Sequence, residues 1–174
     1  MQEIHLISAD YVYQNTNVNN SVEAAKIQPF VTLAQDKWVE PIIGTDLMNK
    51  IKDDSADASI AGNYLTLRDE YVRKTILWYT MQEMMRSLNF KIDNGSINQH
   101  NSEHTSAVGS SEMNALIEDA KSNAQFYENK LRSYLTNNAS LFPEYSTNSG
   151  SDVQPKSATV KGFAFSGNNH QMHR

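Results

Sequence analysis

The sequence predicts an all-α fold. The expected form is a small bundle of about four helices, with a β-hairpin or long loop inserted late and an extended C-terminal arm. Three observations predict it. Apolar residues recur three and four apart through most of residues 21–145, the period of a helix face. That period breaks once, at FKIDNGSI (90–97), where Phe90, Ile92 and Ile97 flank Asn94-Gly95. Asn-Gly readily forms a tight hairpin turn. From Ser146 to Arg174 the composition shifts to Ser, Gly, Asn and Thr, too poor in apolar side chains to fold alone. The organisation is therefore an N-terminal segment (1–20), a helical bundle (21–145) and an arm (146–174).

Length and composition bound the function. A chain of 174 residues makes one domain with an adequate core. It has no cysteine, which removes disulfides, thiolate metal sites and a cysteine nucleophile. Its net charge of −5 argues against a protein that coats nucleic acid, which needs a basic surface. No apolar run approaches the roughly 20 residues of a membrane span. MQEIHLISAD lacks the basic start and apolar core of a signal peptide, so the expected compartment is the cytoplasm.

Taken in order, Ser8 is placed to cap a short turn through Asp10 to Tyr13, and QNTNVNNS reads as a polar loop. Ser21 or Asn20 then caps a helix with Glu23 and Ala24 in its first turn. Pro29 either kinks this helix near Ile27 or begins the main helix as its first residue; the kink is favoured. Ile27, Val31, Ala34, Trp38 and Ile42 share one face. Pro41 biases Glu40 away from the α region, and Gly44 can take the left-handed conformation that closes a helix. Thr45 is the candidate cap of the next helix, 46–52, and KDDSADASIAG the loop after it.

The longest helix is expected from Ala61 to Asn89. Tyr64, Leu67, Tyr71, Lys74, Trp78, Met81, Met85 and Leu88 form a heptad-like seam, and Val72, Ile76, Tyr79 and Met84 widen it. So broad an apolar face belongs between partners. Asp69 and Arg73 make an i,i+4 pair. After the 90–97 insertion and a polar loop, Ser110 or Ser111 caps the last helix. Its seam is Met113, Ile117, Ala120, Ala124, Tyr127, Leu131 and Tyr134, with Glu128 and Arg132 paired. Leu141 and Phe142 pack back before Pro143. In the arm, Val160, Phe163 and Phe165 form an apolar, strand-capable run suited to docking on a neighbouring surface.

Candidate chemical sites fall away. His100 and His104 flank Glu103 in an Asn/Ser-rich loop without a third ligand nearby, and His170 and His173 lie in the arm. Asp53, Asp54 and Asp57 lack the order and the twelfth-position glutamate of a calcium loop. There is no P-loop, GxGxxG or GxSxG. Tyr64, Tyr71, Trp78, Tyr127 and Tyr134 lie at core spacing rather than interleaved with basic residues as a stacking platform. The expectation is a protein that is not an enzyme and takes no cofactor or metal.

One ordered set of residues carries a resemblance. Ala34-Gln35 is followed by Trp38, Pro41-Ile42-Ile43-Gly44, and a short helix with Leu47 and Ile51. An aromatic helix from Tyr64 to Leu88 and a final helix with Ala124 and Tyr127 come next, before Asn137-Asn138 and Pro143-Glu144-Tyr145. Over most of residues 8–145 this resembles the helical head-tail connector (neck or adaptor) proteins of tailed bacteriophages. The resemblance implies a structural virion protein whose homomeric ring, usually of twelve copies, sits beneath the portal protein. It would extend the DNA channel without binding DNA specifically, and dock the tail or a further ring. The implied location is the neck of the virion, and the host cytoplasm during assembly. The inter-subunit, portal or tail contacts expected are Val160, Phe163 and Phe165 in the arm, and Ile92, Asn94, Gly95 and Ile97 in the insertion. Ala34, Gln35, Trp38, Pro41 and Gly44 are the structural motif. The alternative is a cytoplasmic helical adaptor that binds a partner helix or peptide in a groove lined by Met81, Met84 and Met85.

Overall fold

The structure is a computed structural model that describes residues 3–87, 111–147 and 153–155, together with the backbone of 90–93, 96–99 and 110. The fold is all-α. Among the described residues there are five continuous helical runs, one more than the expected four or so; the additional one is α1 (Ala9–Asn15). Ser8 caps α1 by accepting a hydrogen bond from the Tyr11 amide. Two four-residue strands, β1 (Phe90–Asp93) and β2 (Ser96–Gln99), pair antiparallel with Phe90 opposite Gln99 and Ile92 opposite Ile97.

The second run, α2, covers 24–43: Ala24–Ala34, a π turn at Gln35–Val39, and Glu40–Ile43. It begins after Glu23 with no side-chain cap, not at Asn20 or Ser21. Those residues are still in a turn: the Asn19 side chain and carbonyl accept from the amides of Ser21 and Val22. Pro29 lies inside the helix rather than at its start. Pro41 does not end the helix either, and Glu40 is α-helical. The π turn explains why. The Glu40 amide reaches back five residues to the Gln35 carbonyl, and this wider turn accommodates a proline just beyond it. Gly44 is the stop, at φ +83° and ψ 155°.

The third run, α3 (Thr45–Ala56), starts at Thr45, with Gly44 in the cap position. It runs past Lys52, helped by a 2.8 Å Lys50–Asp54 ion pair one turn apart. The Asp54 carbonyl then closes the loop by accepting from the amides of Ser59 and Ile60.

The fourth run, α4, covers 62–87: Gly62–Leu67, a second π turn at Arg68–Val72, and Arg73–Ser87. Its π turn corrects the expected seam. The extra residue rotates the helix by about one position. Leu67 and Met81 of the expected seam are buried, but the centre of the face is the expected widening set Val72, Ile76, Tyr79 and Met84, while Tyr71, Lys74, Trp78 and Met85 lie at its margin. α4 is the central helix, packed against α2 and α5 (Ser110–Asn137). α5 buries Ala120, Ala124, Leu131 and Leu135. Two 3₁₀ turns, Ala139–Leu141 and Pro143–Tyr145, fold the chain back so that Phe142 is fully buried while Leu141 stays exposed.

Candidate functional site

The residues of the Ala34–Gly44 motif each have a defined physical task. Ala34 is fully buried under the crossing elements. The buried Gln35 side chain accepts a 2.7 Å hydrogen bond from the Leu6 amide and donates to the Ile4 carbonyl. It thereby pins the N-terminal segment as a strand would, without a sheet. Trp38 stacks on Tyr79, with ring centres 4.5 Å apart and planes 5° from parallel. Its indole N–H donates to Glu83, which also pairs with Lys37 at 2.8 Å. Burial pushes the Glu83 carboxyl up, but these hydrogen bonds and the charges of Lys37 and Arg86 outweigh it and hold the group below its ordinary value. The Tyr79 hydroxyl, raised by burial and by its acidic acceptor, donates to Glu128 of α5, which Arg132 also grips. Three helices are thus tied by one stacked pair and two charged clasps.

The Pro41–Gly44 elbow holds the root of the arm. The Thr45 amide, at the positive end of α3, donates to the Val153 carbonyl at 3.0 Å, and the Val153 amide donates to Thr45 Oγ1 at 3.1 Å. Thr45 Oγ1 in turn donates to Glu40. Thr45, expected to cap its helix, spends its hydroxyl on the elbow instead. Pro155 lies directly over Gly44, where an added Cβ would come within 2.9 Å of its ring. Both the backbone conformation and this approach require glycine.

The other end of α4 is open. An apolar cleft of about 480 Å³ lies between the 17–22 turn, the last turns of α4 and the start of α5. Met81, Met84, Met85, Val18, Val22, Met113 and Leu116 line it, with Asn17 and Asn19 at its edge. A second hollow of about 270 Å³ shares Asn17, Met81, Met85 and Leu116 with it, and reaches Trp78, Asp119 and Asn123. The cleft falls within the roughly 300–1,000 Å³ of ordinary ligand sites. Methionine gives such a wall unbranched, adaptable side chains. The groove expected along Met81, Met84 and Met85 is therefore present as a surface. Leu116 and Val22, which complete it, escaped the sequence because neither belongs to a buried stripe. An apolar residue one position before the α5 seam residue Ile117 was the available signal.

Of the expected contact residues, Val160, Phe163, Phe165, Asn94 and Gly95 lie outside the described residues. Ile92 and Ile97 face each other as backbone partners in the two strands. His100, His104, His170 and His173 also lie outside. Among the described residues no group of three or more histidine or acidic side chains is arranged to hold a metal ion. Asp54 is engaged with Lys50 rather than with its acidic neighbours. No described helix is long and apolar enough to cross a membrane.

The fold is a small helical bundle with an apolar cleft beside the last turns of α4 and a C-terminal segment rooted at the Pro41–Gly44 elbow. By comparison with known families the chain belongs to the family described as Family of unknown function (DUF6712), which it matches over residues 39–155. The match closes at Pro155, the residue seated on Gly44. No curated protein and no solved structure matches the chain.

Proposed function

We propose that the chain is a structural virion protein, a head-tail connector subunit that forms a homomeric ring, of twelve copies by the resemblance, below the portal. In this reading the ring extends the DNA channel and docks the tail or a further ring, and the protein carries out no catalysis and needs no cofactor. The observation that carries the reading is the ordered motif from Ala34 to Ile51 and on to Tyr145, whose members each hold a separate segment against the bundle. Gln35 pins the N-terminal segment and Gly44 seats the arm root. A subunit built this way has a stiff body and contact elements at its ends, as a ring wedge requires. The segment from Phe90 to Gln99 and the arm are the proposed contacts with neighbour, portal or tail. The net charge of −5 suits a lumen through which DNA slides without adhering.

The test is electron microscopy of intact particles with the subunit tagged. A ring at the head-tail junction supports the reading, and absence of the chain from particles ends it. A second reading, a cytoplasmic adaptor for a partner helix or peptide, is favoured by the methionine-lined cleft. It predicts a monomer or dimer that captures its partner with no ring and no particle.

A further inference from the structure

We propose that the methionine cleft is the seat of the chain's own C-terminal segment, Val160 to Phe165. The proposal concerns the isolated chain and does not depend on the ring. Three observations carry it.

The first is position. Gly44, where the arm is rooted, lies six residues beyond Trp38 along α2, a rise of about 9 Å. Trp38 is hydrogen-bonded to Glu83, the neighbour in sequence of the cleft residue Met84. The arm runs on from Pro155 to Arg174, and its eight residues from Pro155 to Phe163 span up to about 26 Å when extended. An extended arm is thus about three times as long as that rise. A tether this short holds its end at an effective concentration on the order of millimolar, which favours the chain's own cleft over any free partner.

The second is chemistry. Val160, Phe163 and Phe165 are the large apolar side chains expected to need cover in the arm. The cleft offers apolar walls, with Asn17 and Asn19 also in its lining. Their amides can pair with the backbone of an extended segment, while the methionines adapt to its aromatic rings.

The third is charge. Beyond Pro155 the arm carries Lys156, Lys161 and Arg174 and no acidic residue, while the whole chain is at −5. Asp119 lines the shared hollow. A basic segment with apolar teeth meets an apolar cleft on an acidic body.

The chain's lack of cysteine makes the test clean. Leu116 is 45% exposed at the cleft wall, so Leu116→Cys disturbs the core little. The full-length double variant Leu116→Cys/Phe163→Cys is oxidised over a range of protein concentrations, beside the control pair Ser133→Cys/Phe163→Cys on the exposed part of α5. The expected result is a within-chain disulfide, formed about tenfold faster than in the control and independent of protein concentration. Equal rates in the two pairs overturn the proposal. Links that form mainly between chains also overturn it, and assign the cleft to the arm of a second copy. A readout without cysteines is Phe163→Ser/Phe165→Ser with an environment-sensitive apolar dye. A several-fold rise in dye binding is expected, and unchanged binding overturns the proposal. Neither result bears on whether the chain is found in particles.

Discussion

The two ends of α4 are built on opposite plans. At its N-terminal end the fit is closed. Tyr64 meets Phe142 edge-to-face at 5.3 Å and donates to Glu144, and Tyr71 stacks on Tyr134 at 4.1 Å. Burial and the Glu144 acceptor push the Tyr64 hydroxyl up to about 12. At the C-terminal end four methionines and a half-exposed leucine surround open space. Aromatic rings and fixed hydrogen bonds specify a single arrangement, whereas methionine walls accept several. The difference teaches that tight, specified packing and an adaptable apolar surface are separated along one helix. The closed end holds the fold, so the open end is free to be shaped for contact.

Substitutions should expose that division. Phe142→Ala removes the fully buried ring at the closed end and should cost about 3–5 kcal/mol, read as a large fall in the chemical-denaturation midpoint. A loss under about 1 kcal/mol would mean that the closed end does not hold the fold. Gly44→Ala is next. Positive φ together with the approach of Pro155 should cost about 1–3 kcal/mol, and amide exchange at Thr45 and Val153 should quicken. Trp38→Phe keeps the stack on Tyr79 but deletes the donor to Glu83, for about 1.5–3 kcal/mol by thermal unfolding. Leu116→Ala at the open end should stay within about 0.5 kcal/mol. If it costs as much as Phe142→Ala, the two ends are not distinct.

Acid sharpens the same contrast. The Glu83 carboxyl is held below its unfolded value, so its contribution is present above that unfolded pKa and is lost as pH falls through the folded one. Asp69, whose burial is outweighed by hydrogen bonds from Arg68 and Arg73, follows the same sign. Stability measured by denaturant titration should therefore drop as pH falls below about 4. In Glu83→Gln the drop should be shallower. An unchanged slope would show that the Lys37–Glu83–Trp38 clasp carries no acid sensitivity.

Much of this architecture was legible in the residues themselves. Ile27, Val31, Ala34 and Ile42 of the expected face are buried as their spacing required, while Trp38 is only partly buried and Val39 takes the core position in the π turn. Ser8, Asp69–Arg73 and Glu128–Arg132 act as local rules predict. What escaped were the two π turns, because helical period counts residues and a π turn adds one without leaving the helix. That single residue moved the α4 seam from Tyr71 and Trp78 to Val72 and Ile76. The π turn of α2 likewise let Glu40 stay helical before Pro41, against the usual bias on the residue before a proline. The elbow was read as a helix stop from Gly44 alone. Its second purpose depends on Val153 and Pro155, more than a hundred residues away, which no local pattern reveals.

The arm root also has a mechanical side. A pull on the C-terminal segment would not reach the core first. It would load the pair of hydrogen bonds between Val153 and Thr45 and lift Pro155 from its glycine seat. These bonds sit at the start of α3, and Thr45 is linked through Glu40 to the last turn of α2. Tension on the arm would thus be shared between two helices at their junction, and the root would let go before either helix unwinds.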